Sequence, residues 1–408
     1  MSAILIDAPG GKKVASSREA LADRIREARG RLALPFERSR VDTVVAVSEL
    51  LLTGGGRALP GFVKHFAFWT RKAAVARLAS EFAKRLPGGT AARARGVVFH
   101  LPPQNVETVF LYSWVLSYLV GNANVVRLPR EISAEMAFVR DCFLERLDEA
   151  GDPTQMFLHY SSASDLGAAI SNESDARVVW GGDVKVALFA GVPLREGGKS
   201  VWFGDRTSFA VVNGAALAAQ SAGGVRDLAK RMHNDIFTFD QMGCSSPQIL
   251  YVVGDRAAHL PAVRALLREI AENVLPGGAG VAAGHIMRKM VAAFEAASHD
   301  ATSTIEWRPG ALTTVIAEGA AQSGKRIGGG FLDVAFVPDL AALRPLVRER
   351  DQTVTHFGFA VEEIRSLADL LFRSSVSRFA PVGTALDFDF VWDGYDLPFE
   401  LTRLVRIG

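Results

Sequence analysis

The chain predicts an α/β fold made of two α/β domains, and three observations carry that expectation. From Gly96 onward, short apolar runs alternate with helical stretches, the spacing of a mainly parallel sheet covered on both faces. At 408 residues the chain is too long for one compact core. Its hydrophobic content of 49% belongs to packed rather than disordered chains.

The same bulk properties exclude several function classes. A net charge of +2 implies neither a nucleic-acid partner nor an acidic membrane surface. Two cysteines, Cys142 and Cys244, cannot build a disulfide framework, and both fit a reducing cytoplasm. The start carries no signal-peptide pattern. The most apolar stretch, Val106 to Val120, is too short for a membrane span and includes Glu107, so it predicts a buried helix.

Residues 1–88 read as mostly helical. Ser16 or Ser17 can cap SREALADRIREARGRL, whose apolar positions recur at three and four residues. VDTVVAVSELLL is a second helix stopped by Gly54, Gly55 and Gly56, and FVKHFAFWTRKAAVARLASEFAKRL a third stopped by Pro87 and Gly88. Strands then follow at GVVFHLP, NVVRLP, MFLHYS, ARVVW, KSVWF and FAVVN, with helices at Val106–Val120, Ala134–Ala150 and DLGAAISNES. Residues 214–382 form a second α/β block, with strands at QILYVV, LTTVIAE, DVAFVP, HFGFAV and RFAPVG. The domains expected are 1–213, 214–382 and an aromatic C-terminal segment, 383–408, that docks on another surface.

The chemistry centres on FDQMGCSSPQILY, residues 239–251. Gly243, Ser245 and Ser246 leave the Cys244 sulfur uncovered, and Pro247 stiffens the turn before the apolar run Ile249–Val253. A thiol on a rigid turn suits covalent catalysis, because the thiolate is a strong nucleophile. A buried structural cysteine is the plainer alternative, and Cys142, within helical AFVRDCFLERL, has that character. His233, eleven residues before Cys244, can approach it, and a surface or capping role is the plainer alternative.

No GxGxxG fingerprint, Walker loop, zinc-ligand spacing or GxSxG elbow is present. Gly277-Gly278-Ala279-Gly280 reads as a helix end. Two loops remain as anion sites at the carboxyl ends of strands, where open α/β sheets bind ligands. In RLPRE, Arg127 and Arg130 can clamp a phosphate, or form an exposed surface pair. In WGGD, Trp180, Gly181 and Gly182 lead into a helix whose backbone N–H groups can face a phosphate, or make a tight turn capped by Asp183.

FDQMGCSSPQ, WGGD, NANVVRLP, NVETVFLYSWVLSYLVGN and PVGTALDFDFVWDGYDLPFELTR together resemble the LuxC-type acyl-CoA reductases of the aldehyde dehydrogenase superfamily, in consistent order from about residue 97 to 406. The resemblance implies an aldehyde dehydrogenase-like architecture. A Rossmann-like nucleotide-binding domain precedes a catalytic domain, the active site lies between them, and a C-terminal segment helps assemble a homo-oligomer. It implies that Cys244 is the nucleophile and that Asn105 steadies the oxyanion. VVRLPRE is similar to the superfamily's VVLKPSE, with Arg127 at the lysine position and Arg130 at the serine position. VVWGGD takes the place of the loop that meets the nucleotide phosphates. One departure carries weight: in SVWFGDRTSF, Phe203 stands where hydrolytic members have a glutamate that activates water.

The resemblance therefore implies reduction of an acyl-CoA, or of an acylated carrier or partner protein, to the aldehyde through an acyl-cysteine. The cofactor expected is NADPH, which Arg130 would favour, while the adjacent Glu131 leaves NADH open. Family members work in complexes with an acyl-protein synthetase, a further partner implied. Two other readings stand beside it: a cysteine acyltransferase or thioesterase that uses no nicotinamide, and a non-catalytic subunit of a synthetase complex.

Overall fold

The structure is a computed structural model. It describes residues 4–15, 17–53, 59–103, 109–129, 132–161, 164–274, 283–299, 303–308, 310–317 and 326–408. Asn105, Arg130, Glu131 and the 277–280 glycine run lie outside the described residues. The chain divides into two compact units, residues 1–204 with 388–408, and residues 205–387.

The first unit opens with a hairpin, β1 (Ile4–Ala8) and β2 (Gly11–Ala15), followed by α1 (Arg18–Arg29), α2 (Arg38–Thr53), α3 (Gly61–Trp69) and α4 (Lys72–Arg85). Ser17 is the cap of α1 and accepts from the Ala20 amide. The hairpin corrects the helical expectation for this stretch. Its mid-strand charge, Asp7, is only 4% exposed and pairs with Arg140 and His159. A short apolar run broken by a carboxylate gives little sign of a strand unless those distant partners are known.

Then come β3 (Thr90–Ala94), β4 (Val97–Leu101), α5 (Val109–Leu119), β5 (Ala123–Leu128), α6 (Ala134–Glu149), β6 (Gln155–His159), α7 (Leu166–Asn172), β7 (Ala176–Trp180), α8 (Asp183–Ala190) and β8 (Lys199–Phe203). The sheet order is β2-β1-β6-β5-β4-β7-β8, with β6 through β8 mutually parallel and β1 antiparallel to β6. The order runs outward from β4 through β5 and β6, then resumes on its other side with β7 and β8. The reversal between β4 and β7 is the place where such sheets open a ligand crevice at the strands' carboxyl ends.

Alternation along the strands separates the two faces. Val97, Phe99, Leu101, Val125, Met156, Leu158 and Val179 join Leu21 and Ile25 of α1 in one core. Each such fully buried side chain contributes about 1.5–3 kcal/mol. On the other face His100 bonds Asn124 at 2.9 Å, and Ser117 of α5 donates to the same amide oxygen at 2.6 Å. Residues 110–120 are all buried, so this apolar stretch is core. Among the described residues no helix is long and apolar enough to cross a membrane.

The second unit contains β9 (Thr207–Asn213), α9 (Gly214–Ala218), α10 (Ala222–Phe237), β10 (Pro247–Val253), α11 (Arg256–Glu269), α12 (Ala283–His299), β11 (Thr304–Glu306), β12 (Thr313–Ile316), β13 (Phe331–Val337), β14 (Asp351–Phe357), α13 (Val361–Leu370) and β15 (Arg378–Pro381). Its sheet order is β11-β12-β13-β10-β9-β14-β15, parallel except for β11. The strand expected at HFGFAV instead spans Asp351–Phe357, and a turn begins at Gly358. Gln352, Thr353 and Thr355 are buried there, so the segment hides its strand character behind polar residues.

The C-terminal segment holds β16 (Val391–Trp392), β17 (Tyr395–Asp396), α14 (Leu397–Glu400) and β18 (Thr402–Arg406). It docks on the first unit of its own chain. β18 pairs antiparallel with β3, Phe388 stacks on Tyr112 at 4.7 Å, and the Trp69 indole donates to the Phe388 carbonyl. Asn122 and Arg95 bond the carbonyls of Leu401, Glu400 and Thr402.

Candidate active site

In the second unit the chain leaves α10, turns through residues 238–246 and enters β10 at Pro247. Asp240 and Gln241 take left-handed conformations, at φ 50° and 62°. Such residues cost about 1–2 kcal/mol each, and long-range bonds offset the cost. Gly329 N–H donates to the Asp240 carbonyl at 2.7 Å. The buried Gln241 amide donates to the carbonyls of Pro247 and Phe331, at 2.8 and 2.7 Å, and accepts from the Phe331 amide at 2.9 Å. Gln248 returns to the Gln241 and Ser246 carbonyls, both at 3.1 Å. One glutamine thereby ties the turn to the starts of β10 and β13.

Cys244 sits on this clamped turn. Its carbonyl accepts from the Ser208 hydroxyl of β9 at 2.7 Å. Ser245 and Ser246 are buried, whereas Cys244 is partly exposed. A fixed backbone bearing a partly exposed cysteine suits a nucleophile. Gly243 is closely packed: a Cβ there would come within 3.1 Å of Leu386 and of the Ser246 hydroxyl. The loop bearing Leu386 is held by Asp235 of α10, which accepts from the amides of Gly383 and Ala385 at 2.7 and 2.9 Å. Burial pushes the Asp235 carboxyl up to about 7 against those bonds. Cys142 is buried on α6, and the His233 ring stacks on Phe237.

The other expected residues fall in the first unit. Arg127 lies near the carboxyl end of β5 with its guanidinium 5.1 Å from the Tyr160 ring centre. Trp180 ends β7. It is 4% exposed, stacks on Phe203 and donates its indole N–H to Ser113. Its carbonyl accepts from Lys185 at 3.0 Å. Gly181 N–H donates to the Phe203 carbonyl at 3.0 Å. Gly182, rather than Asp183, is the N-cap of α8 and makes no side-chain capping bond. A Cβ at Gly182 would meet nothing within 4 Å. The first-turn N–H groups of a helix have no intrahelical acceptors, so an open glycine cap at the sheet's switch point suits a phosphate. Val184 and Leu188, 86% and 65% exposed, add an apolar strip along α8.

Sequence reasoning missed Gln241, Gln248, Ser208 and Lys185. Lys185 donates to the carbonyls of Leu101, Pro102 and Trp180, at 3.2, 2.6 and 3.0 Å. Burial, reinforced by Arg127, lowers its ammonium to about 7. The Gln241/Gln248 pair flanking the cysteine was the one local signal available. Among the described residues no cluster of His, Cys, Asp and Glu could hold a metal ion.

Comparison with known proteins bears on this geometry. The family model described as "Acyl-CoA reductase (LuxC)" matches residues 75–407. No curated protein matches the chain. Among solved structures, the fold is similar to an oxidoreductase from Marinobacter aquaeolei, with 12% identity, 98% of this chain and 93% of that chain covered, and a TM-score of 0.69. It is similar to aldehyde dehydrogenase 21 from Physcomitrella patens, with 12% identity, coverage of 98% and 94%, and a TM-score of 0.68. It is also similar to the NADP-dependent glyceraldehyde-3-phosphate dehydrogenase from Bacillus halodurans, with 15% identity, coverage of 100% and 96%, and a TM-score of 0.67. At these identities the likeness establishes the aldehyde dehydrogenase fold.

Proposed function

The chain belongs to the LuxC family of acyl-CoA reductases, aldehyde-forming oxidoreductases, and from that premise we propose an NADPH-dependent reduction that passes through an acyl thioester on Cys244. The observation that carries the proposal is the clamped turn, which leaves Cys244 partly exposed ahead of two buried serines.

The Cys244 thiolate adds to the carbonyl of an acyl-CoA, or of an acylated carrier protein. The donors the resemblance implies for the tetrahedral oxyanion are Asn105 and the Cys244 amide, each worth roughly 3 kcal/mol. Collapse breaks the carbon–sulfur bond to the carrier, which leaves as a thiolate, and the acyl group stays on Cys244. Reduced nicotinamide, when bound, supplies a hydride to that carbonyl carbon. The resulting hemithioacetal oxyanion collapses, releasing aldehyde and restoring the Cys244 thiolate.

The residues at the β4–β7 reversal fit a dinucleotide. Gly182 leaves space and the α8 amides supply donors for the pyrophosphate. Trp180 and Gly181 shape the turn that leads into α8, and Arg127 contributes positive charge from β5. Arg130 pairs with a 2′-phosphate, favouring NADPH, while NADH is the weaker substrate. The C-terminal segment serves assembly into a homo-oligomer, and an acyl-protein synthetase is the natural partner for donor supply. The cytoplasm is the matching compartment.

Phe203 weighs against the thioesterase reading. The position that resembles a water-activating glutamate holds an aromatic ring 3% exposed, so an acyl-enzyme would persist long enough to be reduced. The test is a panel of acyl-CoAs, short to long and aromatic, assayed for NADPH and NADH oxidation and for aldehyde. Stoichiometric aldehyde and nucleotide oxidation support the proposal. Release of free acid and CoA without nucleotide consumption would show a thioesterase instead.

A further inference from the structure

We propose that Lys185 is a positioning residue of the nucleotide site, latching the carboxyl end of β4 to that of β7 and so setting the width of the crevice that takes the nucleotide phosphates. The nucleotide part of this proposal rests on the reductase reading above.

The ladder between β4 and β7 ends at Leu101↔Val179. Past that pair β7 continues only against β8, through Trp180↔Phe203, and the Leu101, Pro102 and Trp180 carbonyls lie beyond the β4–β7 ladder. Lys185 Nζ supplies the missing donor, with bonds to Leu101 and Pro102 on one side and Trp180 on the other. An ammonium has three donors. All are directed at backbone, so the lysine holds the walls of the crevice rather than the ligand. Gly181 makes room for it, since a Cβ at that position would stand 2.8 Å from Lys185 Cδ. The glycine that reads as a phosphate-binding residue therefore also serves the latch.

The charge environment gives the latch a pH dependence. β4 and β7 face Nζ with carbonyl oxygens, and Arg127 on β5 is the cation acting on it. Asp183, at the head of α8, is exposed. With its ammonium lowered to about 7, the lysine loses a donor as pH rises past neutrality, and one of the carbonyls goes unheld.

The test combines hydrogen exchange with nucleotide titration of the full chain. In Lys185→Met, exchange without nucleotide should rise in peptides covering 98–103 and 178–186. The NADPH dissociation constant should rise about 10-fold or more, since a misplaced site can cost up to about 100-fold. Wild-type affinity should weaken between pH 6.5 and 8.5. Lys185→Arg keeps its charge and should bind with no such trend. Unchanged exchange in Lys185→Met overturns the latch, and a weaker affinity with unchanged exchange makes the lysine a direct phosphate ligand instead. Should Lys185→Met fail to fold, a Lys185→Arg pH trend equal to wild type overturns the proposal. If the wild type binds neither NADPH nor NADH, the reductase reading falls, and the exchange comparison still decides the latch.

Discussion

Phe203 lies flat on Trp180, with ring centres 3.8 Å apart and planes 18° from parallel. Tyr395 closes the stack edge-on at 5.7 Å. The carboxyl end of β8 is thus an aromatic wall, at the position that resembles the superfamily's water-activating glutamate. On the proposed mechanism, that aromatic residue would keep an acyl intermediate from hydrolysis so that it can be reduced.

Phe203→Glu should shift the products from aldehyde toward free acid, measured as the acid-to-aldehyde ratio from one acyl-CoA. The exchange also removes the stack, and loss of a buried Phe costs about 3–5 kcal/mol, so melting temperature should fall as well. A folded Phe203→Glu enzyme with an unchanged product ratio would remove Phe203 from the explanation.

Gln241 makes the bonds that hold the cysteine turn to β10 and β13. Gln241→Leu strands these backbone groups in a buried site, at about 1–3 kcal/mol for each one left unpaired. Stability should fall by several kcal/mol in denaturant titrations. The rate of Cys244 acylation should fall even where the protein is fully folded. Equal acylation rates in folded wild type and variant would limit the glutamine to a role in stability.

His100 sets an acid limit on the first unit. Buried between β4 and β5, its imidazole is pushed down to about 4 from 6.5. The unfolded chain therefore binds the extra proton between those pH values. The stability is complete above about pH 6.5 and is lost as pH falls toward 4, by roughly 3 kcal/mol. His100→Gln should flatten this part of the stability–pH curve. An unaltered curve would mean that the ring titrates normally.

The cysteine turn was legible because its signals are local: small residues, a proline, and an apolar strand immediately after. The βα alternation was legible for the same reason, from Val97 to Phe203. The clamps were not, because Gln241 reaches Phe331 and Ser208 reaches Cys244 across the sheet. The N-terminal hairpin was hidden by Asp7, whose partners lie more than a hundred residues away in Arg140 and His159. Asp351–Phe357 was hidden because its buried threonines read as solvent-facing. Lys185, in DVKVALFA, reads as a surface helix lysine until the ends of β4 and β7 are seen beside it.

Covalent capture tests the central claim most directly. Incubating the protein with an acyl-CoA in the absence of nucleotide, then mapping the adduct by peptide mass spectrometry, should find one acyl group on Cys244. Adding NADPH should discharge it as aldehyde, and Cys244→Ala should carry no adduct. An acyl group on another residue, or full turnover by Cys244→Ala, would contradict the account.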